Sequence, residues 1–249
     1  MVMSASNRYL IVSDTHENSR AFWRIIKEAE PYDAVFCAGD IEDHADMDVP
    51  FYFVAGNHCI DRAQDLLKSI DAGLVRLRNF IRVLPGKVYT HRGMRIAGLP
   101  GNYAPTDYDR PRRLLVHQRH FTRSEFESVL RLKGIDVLIT HESPKGVADF
   151  DWRTGTRHLG VQPIRDLLDA VRPRFMICGH IHNQQIAEYQ GTIVINGGYG
   201  VDGEYAVLNL STGAVEFYKK FELVKSVDVR ALAPKRSQTT EKLRAGKNK

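Results

Sequence analysis

The chain has 249 residues, 43% hydrophobic and 26% charged, with a formal net charge of +5. That length and balance fit one ordinary soluble α/β domain with a sizeable core. No apolar run approaches the roughly 18 residues a membrane-spanning helix needs, and the segment before Tyr9 lacks the features of a secretion signal, so a cytoplasmic protein without a membrane partner is expected.

Taken in order, Tyr9 to Ser13 is a short apolar, β-rich run that stops at a polar loop. Residues 19–30 place Phe22, Ile25, Ile26 and Ala29 at helical spacing before Pro31. Ala34 to Ala38 and Phe51 to Ala55 are two further buried strands, ending at Gly39-Asp40 and Gly56-Asn57-His58. This β-loop-α-β series predicts a largely parallel core sheet. A helix is expected over 62–70, then a hairpin of 87–91 and 94–98 turning at Arg92-Gly93. Residues 102–122 are expected to be irregular. A helix over 123–133 has Thr122 as its cap and Gly134 as its stop. Asp136 to Thr140 is a strand running into His141, a helix follows near 163–171, and Phe175 to Cys178 is a strand running into Gly179-His180. Residues 184–221 hold short strands split by Gly191, Gly197-Gly198 and Ser211 to Gly213. The prediction is α/β, with two stacked sheets and helices outside. One domain is expected over 1–229, with a basic, disordered tail over 230–249.

Charge is unevenly spread. Residues 230–249 carry seven Lys/Arg and one acid, and residues 82–133 carry eleven Lys/Arg and four acids. The remainder is acidic. Basic segments on an acidic core favour phosphate-rich partners, with a solvated surface as the plainer reading. Three cysteines, Cys37, Cys59 and Cys178, make no disulfide framework.

Five short segments carry the chemistry: Asp14-Thr15-His16, Gly39-Asp40, Gly56-Asn57-His58, Thr140-His141 and Gly179-His180-Ile181-His182. Each follows a buried strand, and open α/β folds gather ligands outside the carboxyl ends of their strands. Asp14 and His16, two apart in extended chain, can point to one side, as can His180 and His182. Asp40 has two oxygens and is the natural bridge. Carboxylate, imidazole and amide oxygen together suit Mn, Fe, Zn or Ni more than Ca or Mg. Two divalent transition ions, Mn first among them, are the expected cofactors of a phosphoesterase.

The ordered set resembles the calcineurin-like metallophosphoesterase superfamily over about residues 9–200. The resemblance implies a four-layer αββα sandwich of two mixed β-sheets flanked by helices. It implies one metal on Asp14, His16, Asp40 and His182, and another on Asp40, Asn57, His141 and His180. A hydroxide bridging the metals would attack a phosphodiester, Asp40 would help orient it, and His58 would serve as general acid. Cys59 stands where members often carry an acid that could orient His58. Residues 97–127, with Asn102, Arg110, Arg112 and Arg113 as candidate substrate contacts, resemble the insert of lariat-debranching members. So does Thr140 to Gly146, but His16 stands where those enzymes commonly have cysteine. Nucleic acid or nucleotides are the candidate substrates. A phosphomonoesterase or small-nucleotide hydrolase, and a non-catalytic scaffold, are the alternatives.

Overall fold

The computed structural model describes residues 6–59, 66–70, 72–112, 119–152, 154–155 and 158–232. Two sheets stack face to face. The first contains β1 (Arg8–Val12), β2 (Ala34–Cys37), β3 (Phe51–Phe53), β4 (Phe80–Arg82), β11 (Tyr205–Asn209), β12 (Ala214–Lys219) and β13 (Glu222–Asp228). Its order is β13-β12-β11-β1-β2-β3-β4. The second contains β5 (Tyr89–His91), β6 (Met94–Leu99), β7 (Val137–Thr140), β8 (Phe175–Cys178), β9 (Gln184–Tyr189) and β10 (Thr192–Gly197), in the order β5-β6-β7-β8-β10-β9. Strands β1 to β4 are mutually parallel, as are β6, β7, β8 and β10. The antiparallel strands extend each sheet from its parallel part.

The pleat explains why these strands are apolar throughout. Along β1, Tyr9 and Ile11 face the second sheet and join Phe36, Ile139, Ile177 and Phe217, while Leu10 and Val12 face outward. Successive residues point to opposite faces, so a strand covered on both sides loses its alternation. Phe22 and Ile25 of helix α1 (Ser19–Glu28) close the outer face of the first sheet. Helices α3 (Arg123–Leu130) and α4 (Gln162–Val171) close that of the second, through Phe126, Val129, Ile164, Leu167 and Leu168. The result is the expected four-layer sandwich, with a short helix α2 (Pro105–Tyr108) at one end.

Local signals place the helix starts. The Asn18 side chain accepts from the Ala21 amide at 3.0 Å. Thr122 and Glu125 form a reciprocal capping box at α3, a device worth about 1 kcal/mol. Helix α3 ends at Leu130, three residues before the expected end, although Gly134 does take a left-handed φ of +64°. The helix expected over 62–70 is described only at 66–70. Two strands escaped the sequence reading. The first, β4, has only three residues. The second, β13, is mostly exposed, so neither shows a recognisable apolar run. Part of the segment expected to be irregular folds as α2, and Asn102 bridges to His120. The expected domain boundary falls inside a last helical turn, α5 (Val229–Leu232). Residues 233–249 of the basic tail lie outside the described residues.

Candidate metal centre

The carboxyl ends of β1, β2 and β3 and of β6, β7 and β8 lie at one edge of the sandwich, where backbone bonds tie their loops together. The Asp14 amide donates to Gly39 O at 3.0 Å, and the His16 amide donates to Asp40 O at 2.9 Å. The Gly179 amide reaches His141 O at 2.9 Å. Across the two sheets, the Gly101 amide donates to Ala55 O at 2.7 Å. Five strand-end segments are thereby held in one crevice.

Two groups of side chains converge there. Asp14, His16 and His182 each offer a donor atom within 4.8 Å of the others, and so do Asp40, His141 and His180. His182 Nε2 is 3.3 Å from Asp14 Oδ1 and 3.2 Å from His16 Nε2. His141 Nε2 is 3.3 Å from Asp40 Oδ2 and 3.0 Å from Asn57 Oδ1. His16, Asp40 and His58 form a third such trio, which overlaps the first two. All seven predicted ligands, and His58, are therefore in one place.

The backbone that achieves this is not extended, contrary to the argument from two-residue spacing. Asp14, His16, Asp40, His180 and His182 all have φ between +46° and +67°. Left-handed backbone in non-glycine residues costs about 1 kcal/mol or more each and persists where the surrounding structure enforces it. The glycines in the motifs serve mainly as clearance. A Cβ on Gly56 would lie 2.1 Å from Asp40 Oδ1, and one on Gly179 would lie 2.7 Å from Asp14 Oδ2. The carboxylates occupy the space a side chain would fill.

Electrostatics are those of a site prepared for cations. Asp14 and Asp40 are buried, and among the described residues Asp14 Oδ1 and Asp40 Oδ2 make no well-directed hydrogen bond, although the ring nitrogens of His182 and His141 stand 3.3 Å away. Leaving a buried carboxylate oxygen unsatisfied is costly, so these atoms fit a metal ion. The other oxygens hold the carboxylates in place. Asp14 Oδ2 accepts from the His180 amide at 3.0 Å, and Asp40 Oδ1 accepts from the His58 amide at 2.7 Å. Burial opposes ionisation of Asp40, but the neighbouring His141 and the His58 amide outweigh it and hold the carboxyl below the usual range. Burial likewise disfavours a charged His141, yet Asp40 and Asp14 raise its pKa to about 9. His141 Nδ1 meets Ala38 O at 2.7 Å, which fixes the ring and leaves Nε2 facing the site. Burial, reinforced by His141, lowers His180 to about 4, so His180 is a neutral donor.

These findings agree with a match of the calcineurin-like phosphoesterase superfamily domain to residues 8–212. The chain belongs to this superfamily. The lariat debranching enzyme of Schizosaccharomyces pombe is 26% identical over 156 residues, covering 53% of this chain and 33% of that protein. That of Drosophila melanogaster is 26% identical over 160 residues, covering 52% and 28%. The matches thus span about a third of the length of these relatives. The crystal structure of TT1561 of Thermus thermophilus shares the fold, with a TM-score of 0.62 at 17% identity, covering 87% of this chain and all of that one.

Within this calcineurin-like domain, Cys59 does not address His58. Its buried Sγ accepts from the amides of Asp40 at 3.0 Å and Gly56 at 3.3 Å, bracing the two strand-end loops. Burial and the Asp40 charge keep it a neutral thiol. Asn102 joins the site, its Nδ2 3.4 Å from His180 Nε2. Two of the three candidate arginines pair with acids of their own segment. Arg112 donates through Nε and Nη2 to the Glu125 carboxylate and through Nη2 to His120 O. Arg110 pairs with Asp107 at 3.4 Å, and Arg113 lies outside the described residues. Two neighbours of the site were missed in the sequence. Tyr199 stacks on His182, with ring centroids 4.3 Å apart. Its signal was the Gly197-Gly198-Tyr199-Gly200 run at another strand end. Glu142 is buried beside His141 and accepts from the Tyr103 amide at 2.7 Å. Burial raises its pKa to about 7, and an acid directly after a candidate ligand histidine was the available signal.

Proposed function

We propose that this chain is a two-metal phosphodiesterase acting on nucleic acid or nucleotides. The observation that carries the reading is the pair of buried carboxylate oxygens on Asp14 and Asp40 that make no well-directed hydrogen bond among the described residues, each clustered with histidine ring nitrogens. Asp14, His16, Asp40 and His182 would hold one ion. Asp40, Asn57, His141 and His180 would hold the other. Such ions, Mn²⁺ foremost, supply activation of water and neutralise charge on the phosphoryl oxygens. The protein supplies the rest. Asp40 lies between the groups, oriented by the His58 amide. The exposed His58 ring stands edge-on to His16 at 5.0 Å and opens to solvent, where a leaving oxygen can take its proton. Asn102 can donate to a non-bridging phosphate oxygen.

Nucleic acid is favoured because the matched relatives are named for debranching lariats, although His16 takes the place of their common cysteine. Arg112, committed to Glu125, braces the insert in this reading. The test is an activity panel with Mn²⁺: bis-p-nitrophenyl phosphate, p-nitrophenyl phosphate, cyclic nucleotides, and labelled single-stranded RNA and DNA. Turnover of the diesters and a polynucleotide above the monoester is expected. Turnover of the monoester alone overturns the reading in favour of a phosphomonoesterase.

A further inference from the structure

A cavity of about 540 Å³ lies on the helix-covered side of the second sheet. That volume is within the ~300–1,000 Å³ range of small-molecule sites. Its walls include Tyr103, Tyr108 and Phe126 on one side and Lys145, His158 and Gln162 on the other. The two tyrosine rings meet edge to face at 5.3 Å, and Phe126 is 6.0 Å from Tyr108. Both tyrosines are only half-buried, and the Arg123 guanidinium lies over one face of Tyr108, 4.8 Å from its centroid.

The cavity is joined to the metal centre twice through the chain. Tyr103 follows Asn102, whose amide reaches His180. Lys145 lies four residues after His141 on the loop from β7. The Tyr103 amide donates to Glu142 Oε2 at 2.7 Å, which ties these two approaches together. The polar lining is largely committed. His158 meets Asp149 at 2.9 Å, and Asp166, the acid on the lining, accepts from Gln162 at 2.8 Å. Lys145 is exposed and has no ion pair to a described residue, so one cation remains for a ligand.

We infer that this cavity binds an unpaired nucleobase next to the scissile phosphate, with Lys145 contacting a neighbouring phosphate of the same strand. The assignment rests on the phosphodiesterase reading and names its substrate class as single-stranded nucleic acid. Aromatic faces accept any base, because every base has a π-face, and a lysine beside them tracks the backbone. A base held in a duplex cannot enter a cavity walled by tyrosines without leaving its stack.

Fluorescence anisotropy of a fluorescein-labelled oligothymidylate tests the cavity with cleavage blocked by EDTA. Tyr108→Leu should weaken binding about tenfold, in the range found for loss of one stacking partner. Lys145→Ala, an exposed change that leaves the fold intact, should lower the salt slope by about one unit. A duplex of equal length should bind with no dependence on Tyr108. Unchanged affinity in Tyr108→Leu together with an unchanged salt slope in Lys145→Ala overturns the assignment, as does an equal loss for duplex and single strand. Turnover of methyl p-nitrophenyl phosphate with Mn²⁺ tests the underlying reading alone. That substrate carries no nucleobase, so its failure removes the phosphodiesterase without bearing on the binding result.

Discussion

Glu142→Gln should stabilise the metal-free protein, and by an amount that depends on pH. Glu142 is buried and its pKa is raised from 4.5 to about 7 by that burial. The folded state therefore binds its proton more tightly than the unfolded chain does. Stability from a raised acid is present below the unfolded pKa and is lost as pH rises through the folded one. A difference of about 2.5 pKa units at 1.36 kcal/mol each sets a limit of roughly 3 kcal/mol. Glutamine retains an oxygen for the Tyr103 amide and never ionises, so the variant escapes this loss. Urea denaturation in EDTA, for both proteins from pH 5 to pH 8, isolates the effect. The stability gap should widen in favour of the variant by about 2–3 kcal/mol over that range. A constant gap, or one that widens in favour of the wild type, would refute the argument that the carboxyl is held neutral by burial.

Three further outcomes follow from the site. Gly56→Ala has no positive-φ penalty, so its cost is the 2.1 Å approach of the new Cβ to Asp40 Oδ1. It should destabilise by about 1–3 kcal/mol and weaken metal binding by about tenfold or more, as measured by urea unfolding and Mn²⁺ titration. His58→Ala should retain metal and lose about 10²-fold or more in turnover. The loss should be smaller for p-nitrophenyl esters, whose leaving group needs no proton, and an equal loss across leaving groups would make His58 a phosphate contact instead. Metal affinity should rise about tenfold per pH unit below about 9, because the proton held by His141 must leave before its ring can ligate. Calorimetry in buffers of different ionisation enthalpy would detect that proton, and a pH-independent affinity would contradict it.

Most of the candidate site was legible because its proposed ligands are polar residues placed directly after continuous apolar strands. That contrast survives in a single sequence, as at Val137 to His141. The means of convergence was not legible. Asp14/His16 and His180/His182 meet through left-handed turns rather than extended pairs, and φ leaves no mark in residue types that usually avoid that region. The inward turn of Cys59 toward the Asp40 and Gly56 amides was likewise hidden, since a cysteine is equally at home in a core or at a ligand loop. In the fold, strands covered on both faces announced themselves, whereas the exposed β13 did not. The arginines of the insert looked free in sequence because their partners lie 3 to 14 residues away, as with Arg112 and Glu125 or Arg123 and Asp109.

The central claim is a centre built for two ions that share Asp40. Elemental analysis of the folded, desalted protein after Mn²⁺ loading tests it most directly. The expected result is close to two ions per chain, falling in Asp40→Asn as both groups lose their common ligand. A folded protein that retains no metal after loading would contradict the account.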